Sequence, residues 1–294
     1  VVCGIDEPKL WFRPANAPGP VVQCQNCGFV YVNPIESLKA LIQEGPVLAG
    51  EIHERVSANL NDLKGRWEEP IIAEYLRELP ARQENAREVL ARLEKYQSGR
   101  GRILDIGCFC GVFLGVAKER GWEPQGIEPL VGPAIYARGK FGVPVINDTL
   151  RPELFAPESF EVVSAFQVFE HLIHPEQEIE KIKPLLKPGG LLVVEVPNIA
   201  TPLVSILRTR HRHFVQDHVS FFSAQTLSRL LESKGFRVRE VYYPTRILTV
   251  RHLIWWLGKV GLPASKLQAA LPTTLLERSI RFGLGDIVTV IASK

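Results

Sequence analysis

The stretch Arg102-Ile103-Leu104-Asp105-Ile106-Gly107-Cys108-Phe109-Cys110-Gly111 decides how this chain is read. It opens as a short apolar strand, turns on glycine, and from Gly111 to Arg120 continues as a helix. A glycine turn lets the backbone approach a ligand, and the helix start carries N–H groups with no partner inside the helix. Glu128 closes the next short strand, Gln125–Glu128, 21 residues after Gly107. A carboxylate at that place can accept both hydroxyls of a ribose. The combination predicts a nucleoside-containing cofactor across the C-terminal edge of a sheet. A dinucleotide fits poorly, because G-x-G-x-x-G counted from Gly107 would need glycine where Phe109 and Val112 stand.

The pattern continues downstream. Val131–Lys140 reads as a helix, Val143–Ile146 as a third strand and Phe160–Phe166 as a fourth. Pro175–Leu186 is helical and Leu191–Val196 is a fifth strand. After a long insert come a helix over Ala224–Lys234, a strand over Arg237–Tyr243 and a last strand over Asp286–Ala292. Short apolar strands alternating with helices predict an α/β fold, a parallel sheet of seven strands covered on both faces.

These segments resemble the class I S-adenosylmethionine-dependent methyltransferases. Asp105–Gly111 is similar to their first motif, D-x-G-C-G-x-G, with Phe109 where the motif has glycine. Gly126-Ile127-Glu128-Pro129 resembles the ribose-binding turn. Ser159–Leu172 resembles the strand-four signature, and Leu185–Asn198 the helix–turn–strand-five signature. Phe221–Phe236 resembles the helix that follows. The likeness covers about residues 100–294 and lies in the ordered combination. It implies a three-layer Rossmann-like seven-strand sheet and S-adenosylmethionine as cofactor. By resemblance, Asp105, Gly107, Cys108, Phe109 and Gly111 form the cofactor turn, the backbone of Gly107, Cys108 and Gly111 holding the methionine portion. Glu128 and Pro129 would meet the ribose, Asp148 and Thr149 the adenine, and Gln167 the amino-acid end. Cys108 and Cys110 read as small packing residues of the turn.

Methyl transfer is a displacement driven by the sulfonium, so the protein chiefly positions donor and acceptor. Where the acceptor needs a base, histidine suits neutral pH. Three sites compete: His171, after strand four; His218, in Asp217-His218-Val219-Ser220 of the segment after strand five; and His211 with His213 in a basic run. His171 reads equally as a structural histidine capping its turn, and His218 as base or acceptor contact. The run Arg208-Thr209-Arg210-His211-Arg212-His213 reads either as an anion-recognising segment or as a solvated loop.

The front of the chain has another texture. Cys24-Gln25-Asn26-Cys27-Gly28 is a C-x2-C knuckle, and Cys3-Gly4 looks like the second half of another. The spacing suits a structural zinc held by thiolates. Residues 1–34 resemble the zinc ribbon that precedes many small methyltransferases. Three ligands are visible, Cys3, Cys24 and Cys27, with His53 a remote substitute. The chain has no methionine, and the expectation is that a cysteine precedes Val1. A vestigial ribbon without metal is the alternative reading. Residues 35–98 are expected as a helical connector. Within it Glu78 with Arg82 and Glu88 with Arg92 stand at helical spacing, and Ile71, Ile72, Tyr75, Leu76 and Leu79 form an apolar stripe. The expected organisation is a head over 1–34, a connector over 35–98 and a catalytic domain over 99–294. Within that domain, Arg246–Gly285 is a long insert with Trp255 and Trp256, expected as a helical cover over the acceptor pocket.

Composition narrows the function. Of 294 residues, 46% are hydrophobic and 23% charged, which excludes a disordered or fibrous chain. Net charge is +3, from 35 basic and 32 acidic residues, so no global field calls for nucleic acid. No run of about 20 apolar residues is present, so no transmembrane segment is expected, and a cytoplasmic setting is. The expected activity is methyl transfer to a small-molecule acceptor such as a sugar, a natural product or an envelope intermediate. The alternatives are a nucleic-acid or protein methyltransferase, and a non-catalytic cofactor-binding subunit.

Overall fold

The computed structural model describes residues 3–5, 7–14, 17–34, 68–97, 99–259 and 263–294. Much of the expected connector, and His53 with it, lies outside them. The front folds as three antiparallel strands, β1 (Pro8–Phe12), β2 (Val21–Cys24) and β3 (Val30–Val32). Two helices follow, α1 (Glu68–Arg77) and α2 (Leu79–Leu93). Ala86, Val89, Leu90 and Leu93 repeat at helical spacing along one face of α2 and are buried. The expected pairings within the helix give way to pairings across it. Glu78 accepts from the amide and hydroxyl of Thr249 (2.9 and 2.6 Å), while the Arg82 Nε donates to the Tyr75 carbonyl. Glu88 pairs with Arg281, and Arg92 with Glu240. The helix is packed rather than solvated, so Glu88 and Arg92 find partners on the elements it touches, while Arg87 and Glu84 still pair along it (3.0 Å).

The rest is β4 (Arg102–Ile106), α3 (Val112–Glu119), β5 (Glu123–Ile127), α4 (Val131–Phe141), β6 (Val145–Ile146) and β7 (Phe160–Phe166). Then come α5 (Pro175–Ile182), β8 (Leu186–Pro197), α6 (Pro202–Leu207), β9 (Ser220–Phe221), α7 (Ala224–Ser233) and β10 (Arg237–Tyr242). The insert holds β11 (Arg246–Thr249), α8 (Val250–Lys259), α9 (Ala264–Ala270), α10 (Thr273–Leu276) and β12 (Ser279–Phe282), and β13 (Ile287–Ser293) ends the chain. Seven strands pair in the order β10-β13-β8-β7-β4-β5-β6. The five from β6 to β8 are parallel, as expected. β13 differs: it enters antiparallel between β8 and β10. It returns through the β11–β12 pair instead of a helical crossover, and antiparallel neighbours need no crossover.

Strand periodicity of two divides the core into two apolar layers. Leu104, Val163, Leu192 and Val194 face one side with α5 and α7, contributing Ile179, Leu227 and Leu231. Ile103, Val162, Leu191 and Val193 face the other with Leu90, Leu93 and Leu114. The front sheet is completed from the far side of the chain. Its order is β1-β2-β3-β9, the Val32 amide donates to the Val219 carbonyl (2.9 Å), and Cys24, Phe29 and Tyr31 share an apolar cluster with Phe222 and Leu227. No helix among the described residues is long and apolar enough to cross a membrane.

Candidate active site

The glycine turn adopts left-handed backbone at Gly107 (φ +66°), Phe109 (φ +46°) and Gly111 (φ +71°). Phe109 holds a conformation that favours glycine, and its ring packs edge-on against Tyr75, centroids 4.7 Å apart. Gly111 has a packing task. A Cβ there would lie 2.6 Å from the Ala137 Cβ, so the glycine lets α4 close on the start of α3. Gly107, Cys108 and Phe109 reach the cavity described below, and Gly111 does not.

The turn's amides are also occupied. Gly107 and Cys108 N–H donate to the Ile127 carbonyl (2.8 and 3.2 Å), and Gly111 N–H to the Cys108 carbonyl. The Phe109 N–H donates to Glu128 Oε2 at 2.7 Å, while Glu128 Oε1 accepts from the Leu130 N–H at 2.9 Å. The Glu128 carboxylate therefore ties the first turn to the second. With its N–H groups engaged, this turn is poorly equipped for a phosphate, which would need them. Cys108 and Cys110 are buried, and burial pushes both thiols up, Cys110 to about 12. They are packing groups, not nucleophiles.

A cavity of about 1090 Å³ opens at the C-terminal ends of β4, β5 and β7. It sits where the strand order reverses, the place where open α/β sheets bind ligands. Asp105, Gly107, Cys108, Phe109, Glu128, Pro129, Asp148, Thr149, Gln167 and His171 all line it. The sequence-predicted positions thus converge on one space, except Gly111 and His218. The wall is rich in carboxylates, from Glu78, Asp105, Glu128, Asp148, Glu178, Glu195, Asp217 and Asp286. Arg82, Lys181, Arg212 and Arg246 oppose them. Asp105 is buried beneath the turn, and its carboxyl accepts from the Ser164 hydroxyl at 2.7 Å. Burial raises Asp105 to about 8, against the Ser164 hydrogen bond and with help from the charge of Glu128.

His171 and His218 stack edge to face, centroids 4.8 Å apart, with His171 on the cavity wall and His218 half-buried behind it. His171 Nδ1 bonds the Asp217 carbonyl (2.9 Å), and His218 Nδ1 bonds the His213 carbonyl (3.0 Å). The basic run is not a solvated loop throughout. His211 and His213 are buried, and burial lowers both to about 4. Arg212 pairs with Asp286 (2.8 Å), lies over the Trp256 ring and alone of the run reaches the cavity. The insert closes the far side with Arg246, Leu248, Leu253, Trp256 and Phe282.

Sequence reading missed several wall residues. Glu195 accepts from the Thr289 hydroxyl (3.0 Å) and the Gln167 amide (3.3 Å) and pairs with Arg246. A lone charge in the apolar strand Leu191–Pro197 was the available signal. Tyr75, Glu78 and Arg82 come from the helices expected only to connect.

At the front, Cys3, Cys24 and Cys27 each place a sulfur within 4.8 Å of the others. The Cys3 and Cys24 sulfurs are 3.8 Å apart. Two thiolates on a tetrahedral zinc with ~2.3 Å bonds lie about 3.8 Å apart, so this pair is compatible with that ion. Burial pushes Cys27 up to about 11. In Cys3 the same desolvation is outweighed by hydrogen bonds with Asn26, the Ile5 backbone and the other thiols, which draw it to about 7.

A sheet of this order with its ligand cavity at the reversal defines the Rossmann-like methyltransferase fold. The family model for the methyltransferase domain matches residues 75–241, more than half the chain. The chain belongs to that family, the class I S-adenosylmethionine-dependent methyltransferases. Among curated relatives, it is 27% identical over 155 residues to a ubiquinone biosynthesis O-methyltransferase of Aeromonas salmonicida, covering 48% of this chain and 64% of that one. It is 29% identical over 178 residues to a tRNA U34 carboxymethyltransferase of Idiomarina loihiensis, covering 55% and 54%. The matches thus span less than two thirds of either relative. Among solved structures, the YcgJ protein of Bacillus subtilis superposes with a TM-score of 0.52 over 72% of this chain and 98% of that one, at 14% identity. That likeness concerns the fold.

Proposed function

We propose that this protein transfers a methyl group from S-adenosylmethionine to a small molecule enclosed in the cavity. The observation that carries the reading is the cavity itself, carboxylate-lined along the turns and roofed by the insert. S-adenosylmethionine presents a sulfonium and an ammonium, and a wall of carboxylates and carbonyls suits these cations. Glu128 and Pro129 would hold the ribose, Asp148 and Thr149 the adenine side. Asp105, Gly107, Cys108, Phe109 and Gln167 would shape the methionine end. Typical ligand pockets measure ~300–1,000 Å³, so this space suits a cofactor together with a small acceptor. The acceptor would lie between His171 and the apolar roof of Leu253, Trp256 and Phe282, and His171 would meet its nucleophilic atom.

A concave cavity with the apolar residues Leu253, Trp256 and Phe282 on one side favours a small molecule over a nucleic acid, and the net charge of +3 supports this. The sulfur spacing supports zinc at Cys3, Cys24 and Cys27 as a structural ion that fixes the front sheet. Reduced thiolates suit a cytoplasmic setting.

Calorimetric titration with S-adenosylmethionine tests the cofactor half: we expect saturable binding. Glu128→Ala removes an acceptor of charge-assisted hydrogen bonds worth roughly 1.5–3 kcal/mol, so affinity should fall about 10- to 150-fold. Unchanged affinity would refute the ribose assignment. Mass-spectrometric detection of a product 14 Da heavier from a panel of small acceptors tests the other half. Salt-sensitive RNA binding with methylation of RNA alone would overturn it.

A further inference from the structure

Behind the cavity wall lies a group that the methyl-donor site does not use. Glu170 is 1% exposed, and neither carboxylate oxygen has a hydrogen-bond partner on another residue. An ionised carboxylate buried without partners costs several kcal/mol unless a proton, a cation or a donor meets it. What meets it here is a pair of imidazoles. Glu170, His171 and His218 each offer one ligand atom, and these atoms all lie within 4.8 Å of one another.

The two rings are prepared for ligation. A carbonyl oxygen can only accept, so the Nδ1 bonded to the Asp217 carbonyl in His171, and to the His213 carbonyl in His218, carries the proton. With Nδ1 holding the proton, Nε2 is the nitrogen that can ligate. Metal-binding histidines are characteristically held in this way, with the other ring nitrogen bonded to a carbonyl or carboxylate. The loop is braced as well. The Val219 N–H donates to the Glu170 carbonyl (2.8 Å), and the Ser220 hydroxyl donates to the Leu172 carbonyl (2.7 Å).

We propose that Glu170, His171 and His218 form a binding site for one first-row divalent metal ion at the acceptor edge of the cavity. Two ligands on one ion stand at most about 4.2 Å apart for ~2.1 Å bonds, so the cluster needs to close by no more than ~0.6 Å. Two imidazoles and a carboxylate suit manganese, iron, cobalt or zinc, and leave coordination positions open. His171 is shared between this cluster and the cavity wall. An open position on that side would take an acceptor oxygen and lower its pKa, which deepens the proposed function without being needed for the metal to bind.

The test uses metal-stripped full-length protein and manganese(II), which thiolates bind poorly, followed by electron paramagnetic resonance. One manganese per chain, displaced by zinc, is expected. Glu170→Gln and His218→Ala should each weaken binding at least tenfold while circular dichroism and S-adenosylmethionine affinity stay at wild-type values. Wild-type protein that takes up no manganese, and no zinc beyond that removed by Cys24→Ser, would overturn the proposal. So would either folded variant that binds manganese like the wild type. Wild-type protein that binds S-adenosylmethionine but neither metal at this cluster refutes the metal site alone, whereas wild-type protein that binds no S-adenosylmethionine refutes the reading of the cavity.

Discussion

Gly111→Ala separates packing from ligand binding at the central turn. Two costs follow from its geometry. At φ +71° an alanine is held in the left-handed region, at roughly 1–2 kcal/mol. Its Cβ would also lie 2.6 Å from the Ala137 Cβ and 3.3 Å from the Ala137 Cα, forcing α3 and α4 apart. Overpacking of this kind costs about 1–3 kcal/mol. The sum is ~2–5 kcal/mol, a large share of the ~5–15 kcal/mol that holds a domain folded. The assay is urea unfolding at constant slope, run as a double-mutant cycle with Ala137→Gly. The second substitution removes the opposing methyl, so a favourable coupling of about 1–3 kcal/mol is expected, and the backbone penalty of ~1–2 kcal/mol should persist in the double variant. A Gly111→Ala cost within ~0.5 kcal/mol of zero, or no coupling to Ala137, would refute the packing argument. Folded Gly111→Ala protein should also lose less cofactor affinity than Glu128→Ala, because Gly111 stays outside the cavity wall.

Three further outcomes are expected. His171→Ala should lower kcat by roughly 10²–10⁴-fold and leave S-adenosylmethionine affinity unchanged, read by steady-state kinetics beside calorimetry; equal rates would remove His171 from the acceptor side. Asp105 has its folded pKa raised to about 8 from 3.8, so its stabilising contribution is complete below pH 4 and is lost as pH rises through 8. Unfolding of cofactor-free protein between pH 5 and 8 should therefore show a downward slope of up to ~1.4 kcal/mol per unit that levels off above pH 8, flattened in Asp105→Asn, and identical slopes would contradict the burial argument. Cys24→Ser should abolish stoichiometric zinc and raise amide exchange across β1–β3 while the central sheet stays protected; zinc retained at full stoichiometry would defeat the thiolate assignment.

The seven-strand sheet was legible because its signal is local. Alternating apolar strands and helices carry their periodicity in consecutive residues, and β7 spans Phe160–Phe166 as the sequence predicts. Glu128 was legible for the same reason, since a strand-end carboxylate at fixed distance from a glycine turn follows from chain geometry. Four matters needed the tertiary structure. The antiparallel entry of β13 depends on pairing with β8, remote in sequence. The role of Gly111 depends on Ala137, which only the packing of α4 brings near. The helices expected as a connector turn Tyr75, Glu78 and Arg82 into the cavity wall, where Glu78 is held by Thr249, remote in sequence. And the meeting of the two histidines rests on a distant contact, His171 with the Asp217 carbonyl beside His218. Sequence determined which residues could carry chemistry, through local spacing and residue type. Tertiary structure decided which of them share a space, because burial and cross-strand contact join positions that spacing alone leaves apart.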